Sequence, residues 1–371
     1  MTPEFDARMM AAALKIARRN LGATWPNPAV GCVLARDGEI VGRGWTAIGG
    51  RPHAEVAALA VAGEAARGAT AYCTLEPCSH HGQTPPCVEA LMEAGVARVV
   101  VAARDPDPRV DGSGVARLRA AGLQVDEGLM RDEAAEANAG FILRVAAGRP
   151  MVTLKLAATL DGRIATRRGA SRWITGREAR ARIHLMRANH DAVAIGVGTA
   201  IDDDPKLDVR LPGLEHRSPA AVIFDGGFRL PLEGALVAQA ARRRVILLGA
   251  APKDDAVAAR RDALRDAGCE TLEVRTDGRG WVEAEAALRA LGDLGVTRLF
   301  VEGGRYVAGS LLNAGLVDRL VWCAAPRLIG GDGAEAVASL GVDALRQTPR
   351  FRRIEAYPAG DDMIAIYRRI G

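Results

Sequence analysis

Hydrophobic and polar positions along this chain follow two periods, helical and strand-like, which replace one another many times. Residues 4–20 repeat their apolar positions at helical spacing, with Phe5, Met9, Ala13, Ile16 and Ala17 on one face. Residues 29–45 (AVGCVLARDGEIVGRGW) are two apolar runs around Asp37-Gly38, the signal of a β-hairpin. An alanine-rich helix is predicted from His53 to about Arg67, then a strand over 69–75. Pro85-Pro86 open a helix to Ala94, since proline is tolerated in a first turn. A buried strand over 96–103 and helices near 113–121 and 131–144, with a short strand between, complete the series. Such alternation predicts a three-layer α/β domain.

The segment 145–150 (VAAGRP) is the predicted boundary. Beyond it a second α/β series begins, with strands expected at 151–157, 191–197, 220–225, 244–249, 271–275, 298–302, 317–325 and 363–369. Helices fall between most of them. One is marked by Thr175 and Glu178, which predict a capping box before a helix over 177–189.

Composition and charge change this picture in four places. Aromatic residues are only 4% of the chain, so the core must rest on Ala, Val, Leu and Ile. The six cysteines are dispersed through a long chain, which argues against a disulfide framework. Of these, Cys32, Cys73, Cys269 and Cys323 sit in apolar stretches and read as small core residues. No apolar run nears the ~18 residues needed to cross a bilayer, and no signal-peptide pattern opens the sequence, so a cytoplasmic enzyme with no membrane partner is expected. Residues 1–147 hold 15 Lys and Arg against 17 Asp and Glu, a net −2, and the rest 34 against 28, a net +6. No basic run or aromatic-interleaved stripe supports nucleic-acid binding, and the basic second half suits small phosphorylated ligands.

Candidate chemistry is densest at His53, Cys78 and Cys87. They stand in His53-Ala54-Glu55 and in TLEPCSHHGQTPPC, residues 74–87. One imidazole and two thiolates suit a tetrahedral zinc (Zn2+) with its fourth position left to water. Glu55, beside the first ligand and not itself a ligand, suits a proton carrier for that water. H-x-E followed by Pro-Cys matches the zinc nucleobase deaminases, but eight residues rather than two separate Cys78 from Cys87. A closed structural zinc, with His80 or His81 as fourth ligand, is the competing reading. Asn27, in Pro26-Asn27-Pro28, places an amide in a stiff turn where it could bond a heterocycle edge.

In the second half, three stretches carry chemistry. TLKLAATLDGRI (153–164) puts Lys155 inside an apolar strand, which is costly unless the charge is paired or functional; the competing reading is a lysine snorkelling from a sheet edge. GVGTAIDDDPKLDVR (196–210) is a strand end, an acidic turn and an arginine. VEGGRYVAGS (301–310) is a strand, a glycine pair and a helix start, which exposes backbone N–H groups to a phosphate. It is not GxGxxG and lacks the ribose-binding acid, so a Rossmann reading fails.

Taken together, Asn27-Pro28-x-x-Gly31, His53-Ala54-Glu55, residues 74–87 with their long insert, and these three stretches in order resemble the bifunctional riboflavin biosynthesis proteins, the diaminohydroxyphosphoribosylaminopyrimidine deaminase / 5-amino-6-(5-phosphoribosylamino)uracil reductases. The resemblance covers nearly the whole chain. It implies a cytidine-deaminase-like zinc-dependent pyrimidine deaminase domain over 1–147 and a dihydrofolate-reductase-like α/β domain over 151–371 that uses NADPH. It assigns His53, Cys78 and Cys87 to zinc, Glu55 to proton transfer and Asn27 to substrate. It implies cofactor contacts at Ala157, Trp173, Thr199, Asp203 and the turn Gly304, Arg305, Tyr306, Val307, Ala308, Gly309 and Ser310. Substrate contacts are implied at Ser171, Arg187, Leu207, Arg210 and Glu302, the two arginines suiting a 5′-phosphate. Lys155 is expected to be catalytic, with Asp203 and Glu302 the other groups available for protonation. At position 226, where such proteins carry a small polar residue, this chain has Gly226.

The implied activity is zinc-dependent hydrolytic deamination of 2,5-diamino-6-ribosylamino-4(3H)-pyrimidinone 5′-phosphate. NADPH-dependent reduction of the ribosyl group then gives 5-amino-6-(5-phosphoribitylamino)uracil. A homo-oligomer is expected, with a small phosphorylated pyrimidine as partner and no nucleic acid. The alternatives are a tRNA-type deaminase with an accessory domain, and a non-catalytic zinc protein.

Overall fold

Small residues set the packing of the first half. The structure, a computed structural model, describes residues 2–370 and divides after Gly148 into two compact units. In the first, α1 (Pro3–Ala17) precedes a hairpin of β1 (Gly31–Arg36) and β2 (Glu39–Trp45). Then follow α2 (Ala54–Ala62), β3 (Thr70–Cys73), α3 (Cys87–Glu93), β4 (Arg98–Val101), α4 (Ser113–Ala120), β5 (Gln124–Glu127), α5 (Arg131–Ala137) and α6 (Ala139–Ala147). The sheet order is β2-β1-β3-β4-β5, antiparallel at the hairpin and parallel from β3 to β5. A Cβ added to Gly42 or Gly44 would lie 2.4 Å from Ala58 O or 2.1 Å from Ala54 O, so α2 rests directly on the backbone of β2. Gly31 points to the opposite face by the period of two, and there a Cβ would lie 2.1 Å from Ala13 O of α1. Helices cover both faces, giving the expected three layers. Alanine against glycine fills the core that scarce aromatics cannot.

Tertiary contacts move several expected boundaries. The α1 face turns so that Met10 and Leu14 are buried while Phe5, Met9 and Ile16 only pack against the core. Asp6 is drawn inward too, because Tyr72 Oη donates to it at 2.5 Å and Arg98 at 2.7 and 3.1 Å. Those bonds hold its carboxyl below the usual range. The helix expected over 131–144 is two helices, broken at Asn138, whose side-chain oxygen accepts the buried Ala29 N–H at 3.0 Å. The helices expected over 4–20 and from His53 to about Arg67 end at Ala17 and Ala62, each passing into a 3₁₀ turn.

The second unit contains β6 (Met151–Thr159), β7 (Arg163–Ala165), α7 (Arg177–Ala188), β8 (Ala192–Gly196), α8 (Val197–Asp203), β9 (Ala220–Phe224), β10 (Val245–Gly249), α9 (Asp255–Asp266) and β11 (Glu270–Glu273). After these come α10 (Ala284–Asp293), β12 (Arg298–Val301), α11 (Arg305–Asn313), β13 (Arg319–Ala325), β14 (Ala334–Glu335), β15 (Phe351–Ala359) and β16 (Asp362–Arg369). Nine strands form one sheet, β11-β10-β9-β8-β12-β6-β13-β16-β15. It is parallel from β11 to β13 and antiparallel across β16 and β15. Strands β9 and β10 are apolar throughout, as burial on both faces requires. Chain order departs from spatial order where β12 inserts between β8 and β6, the kind of switch point that opens a crevice at the carboxyl ends of strands.

Three departures from expectation appear here. Thr175 and Glu178 form no capping box; Gly176 is the N-cap of α7, without a side-chain cap, and its N–H goes to Asp362 Oδ2 at 2.6 Å. A distant carboxylate has replaced the local threonine. Strand β15 was missed because its residues Arg352 to Ala356 are exposed and carry charge at successive positions, so no apolar alternation marks it. The short pair β7 and β14 was missed as well.

Candidate active sites

Three ligand-type atoms converge in the first unit. His53 is the N-cap of α2, Cys87 the first residue of α3, and Cys78 lies in the loop after β3. His53 Nδ1 is 3.3 Å from Cys87 Sγ and 3.6 Å from Cys78 Sγ, and all three donor atoms lie within 4.8 Å of one another. Zinc bonds of ~2.0–2.3 Å in tetrahedral geometry imply donor separations of roughly 3.5–3.8 Å, so the set fits that ion. Two thiolates and a neutral imidazole would balance its charge. Among the described residues the cluster includes neither His80 nor His81. His81 faces Glu89 at 3.6 Å instead. The arrangement therefore leaves a coordination position open, as the catalytic reading requires.

The motif around the cysteines also builds the site. Thr74 Oγ1 accepts the Gly31 N–H at 3.0 Å, which ties the loop to the start of β1. Glu76 is buried and accepts N–H bonds from Asp105, Gly112 and Val115 at 3.3, 3.0 and 3.0 Å, the last two at the start of α4. A carboxylate there suits the partial positive charge of the helix terminus. Cys87 N–H donates to Cys78 Sγ at 3.3 Å. The hydrogen bond with Cys87 holds the Cys78 thiol down at about 4, while the same bond and burial push the Cys87 thiol far up. Zinc takes both cysteines as thiolates, so its binding releases protons.

Glu55, in the first turn of α2, is 3% exposed. Burial pushes its carboxyl above the usual range, opposed by the nearby His53 charge. Asn27 donates through Nδ2 to Gly50 O at 3.2 Å, which fixes its plane and leaves Oδ1 for a ligand. Of two further neighbours, His80 was expected only as a competing zinc ligand, and Asp105 had no role in the sequence reading. His80 Nδ1 is buried with no hydrogen-bond partner, and burial pushes the carboxyl of Asp105 up to about 6.

In the second unit, β6 lies between β12 and β13, so Lys155 is not at a sheet edge. The register pairs Leu154 with Val301, which sets Glu302 beside Lys155; the two are 3.7 Å apart. Glu302 also accepts from Arg187 Nε, on the last turn of α7, and Arg187 Nη1 donates to Asp208 O at 2.8 Å. Burial alone would raise the Glu302 carboxyl, but Arg187 and Lys155 outweigh it and hold it at about 2. Arg187 is thus first the counter-charge of Glu302, whereas Arg210 is exposed, with its Nε 3.4 Å from Asp208 Oδ1. Leu207 is buried, and its carbonyl accepts from Arg243 Nη1 at 3.0 Å. Ser171 lies in the turn region before α7, only partly buried.

A cleft of about 1390 Å³ opens at the carboxyl ends of β8, β9, β10 and β12; Lys155, Arg187 and Glu302 are not among the residues that line it. Of the expected cofactor residues, Thr199, Gly304, Tyr306, Val307, Gly309 and Ser310 line it. Gly304 N–H donates to Thr199 Oγ1 at 3.3 Å, joining two of the expected stretches. Ala157 shares the half-open face of β6 with Lys155. Trp173 is 59% exposed, one face covered by the Arg180 guanidinium at 4.4 Å. Asp203 accepts from Arg172, Arg305 pairs with Glu335 at 2.9 Å, and Ala308 is wholly buried; none of the three lines the cleft. Arg229, Lys253, Arg279 and Trp281 line the cleft but were not foreseen. Their residue types carry no motif; only their place after predicted strands pointed to them.

Comparison with known proteins bears on both units. Residues 3–103 match the model of the cytidine and deoxycytidylate deaminase zinc-binding region, and residues 150–365 that of the RibD C-terminal domain. The riboflavin biosynthesis protein RibD of Escherichia coli (strain K12) is 42% identical over 360 residues, spanning 96% of this chain and 98% of that one. The structure of Acinetobacter baumannii RibD, form 1, superposes with a TM-score of 0.89 at 36% identity over 99% of both chains. A diaminohydroxyphosphoribosylaminopyrimidine deaminase/5-amino-6-(5-phosphoribosylamino)uracil reductase from Thermotoga maritima does so with a TM-score of 0.85 at 32% identity, again over 99% of both.

Proposed function

Because the chain belongs to the family of the riboflavin biosynthesis protein RibD, a bifunctional deaminase and reductase, we propose that it acts in turn on two phosphorylated pyrimidines. The first is 2,5-diamino-6-ribosylamino-4(3H)-pyrimidinone 5′-phosphate, deaminated in the first unit. The second is its deaminated product, whose ribosyl group is reduced in the second unit to give 5-amino-6-(5-phosphoribitylamino)uracil. The observation that carries the reading is the His53, Cys78 and Cys87 cluster with buried Glu55 two residues from its histidine.

Zinc, when bound by those three side chains, lowers the pKa of its water toward neutrality. Glu55, whose burial raises its affinity for a proton, takes the proton of the nucleophilic water as a carboxylate and passes it to the ring nitrogen and the departing amine. Asn27 Oδ1 orients the ring by accepting one of its N–H groups. In the second unit the family uses a nicotinamide cofactor, proposed to be NADPH, which supplies the reducing equivalents. The cleft at the carboxyl ends of β8, β9, β10 and β12 is large enough for such a molecule. Lys155, steadied by Glu302, donates the proton that accompanies reduction at C1′. Arg210, with the outer nitrogen of Arg187, receives the 5′-phosphate.

No nucleic acid takes part in this reading, and the net −2 of residues 1–147 supports that. Among the described residues no helix is long and apolar enough to cross a membrane. The six cysteines are free thiols, which fits action in the reducing cytoplasm. Association of several copies belongs to the same proposal and is checked by light scattering.

The test is incubation of the chain with the diaminopyrimidine ribotide, with and without NADPH, followed by mass analysis. An amine-to-oxo exchange without NADPH, and a further two-hydrogen gain with it, are expected. Lys155→Ala should stop only the second change; loss of ammonia release in that variant refutes the assignment of roles.

A further inference from the structure

The cleft of the second unit differs in charge along its length. Strand order orients it. From Lys155 on β6 the neighbours run β12, β8, β9 and β10, each about 4.8 Å further on. Glu302 and the glycine pair follow β12, whereas Arg229 and Lys253 lie in the turns after β9 and β10. A dinucleotide with its nicotinamide beside Lys155 therefore extends its adenosine toward Arg229 and Lys253. These two turns are stitched together, since Ala250 N–H donates to Gly226 O at 3.1 Å.

The cleft carries three carboxylates at this end, and each is committed. Asp277 pairs with Arg279 at 3.0 Å, Glu283 with Arg275 at 3.3 Å and Glu285 with Arg289 at 3.0 Å. Lys253 has no ion pair among the described residues, and Arg229 reaches only the buried Asp225, at 4.0 Å. Two cations without close partners thus face the cleft. Beside them Trp281 and Tyr306 offer half-exposed rings 5.1 Å apart. Position 226 cannot take part through a side chain, because a Cβ on Gly226 would lie 2.1 Å from Gly280 O. Recognition at this end falls to its neighbours.

We propose that Arg229 and Lys253 bind the phosphate on the adenosine ribose of NADPH and so select it over NADH, with Trp281 as the surface against which the purine lies. This rests on the reductase reading above and names its specificity-determining residues. Each cation contributes a charge-assisted bond that NADH cannot form.

The experiment uses the full chain, in wild-type form and as Arg229→Gln/Lys253→Gln. Calorimetry measures affinity for 2′,5′-ADP and 5′-AMP, which isolate the adenosine end, and for NADPH and NADH. Wild type is expected to prefer 2′,5′-ADP and NADPH, and the double variant to lose on the order of tenfold or more on those two alone. Unchanged NADH and 5′-AMP affinity shows that the unit still folds, and the KM for NADPH should rise with kcat unchanged. A variant that keeps the wild-type preference, or that weakens on all four ligands equally, overturns the inference and leaves the reductase reading standing. A wild-type chain that binds neither NADPH nor NADH overturns both.

Discussion

The two candidate sites are built by opposite routes. In the first unit the zinc-type ligands come from a short stretch of chain, with His53 and Cys87 34 positions apart, and two of them sit at helix starts. In the second, Arg187 and Glu302 are 115 positions apart and meet only because β12 returns between β8 and β6. The first site depends on donor atoms held by local turns. The second depends on charge pairing in a dry setting, where burial raises the Glu302 carboxyl and its two cations outweigh that rise. Local geometry survives the loss of a distant contact, but a buried ion group does not survive the loss of one member.

Glu55→Gln tests the local site most sharply. It should lower ammonia release by ~10²–10⁴-fold while zinc content, measured by atomic absorption, stays at wild type. Cofactor oxidation on supplied deaminated substrate should be untouched, and a parallel fall in both activities would erase the contrast between the units. Glu302→Gln tests the assembled site. Leaving Arg187 and Lys155 without their shared counter-charge should destabilise the second unit by ~3–5 kcal/mol in urea unfolding, with ammonia release retained. Unchanged stability would mean that the ion group is not structural.

Acid should weaken the second unit through His190. Burial keeps this imidazole neutral by lowering its pKa to about 3, with Nδ1 2.7 Å from Met186 O and Nε2 3.0 Å from Thr153 Oγ1. The folded value lies below the ordinary 6.5. Its contribution is therefore complete above about pH 6.5 and is lost progressively as pH falls toward 3, about 2 kcal/mol by pH 5. Chemical denaturation at pH 7 and pH 5 reads that slope, and His190→Gln should flatten it. The smallest effect is expected at Thr175→Ala, which should change stability by less than ~0.5 kcal/mol because no cap bond is present to lose. A loss of 1 kcal/mol or more would restore the local cap.

Legibility followed the same divide. His53, Glu55, Cys78 and Cys87 were readable because metal chemistry needs particular residue types at short spacing. Lys155 stood out because a charge inside an apolar strand demands a partner, yet the partner, Glu302, was not paired with it until the register of β6 and β12 placed them together. Arg187 looked like a phosphate ligand by type and is held first by Glu302. Strand β15 escaped because exposed charges replace the apolar alternation, and its pairing with β16 defines it instead.

Periodicity and short-range motif spacing alone pointed to the two α/β series, the break near Gly148 and the candidate metal-ligand cluster, since each is written in residues close in the chain. The tertiary structure decided which cations are spent on buried carboxylates and which face the cleft, where α7 begins, and which strand ends share a crevice. Those depend on sheet order, and sheet order is set by packing between segments more than a hundred residues apart, which no local pattern records.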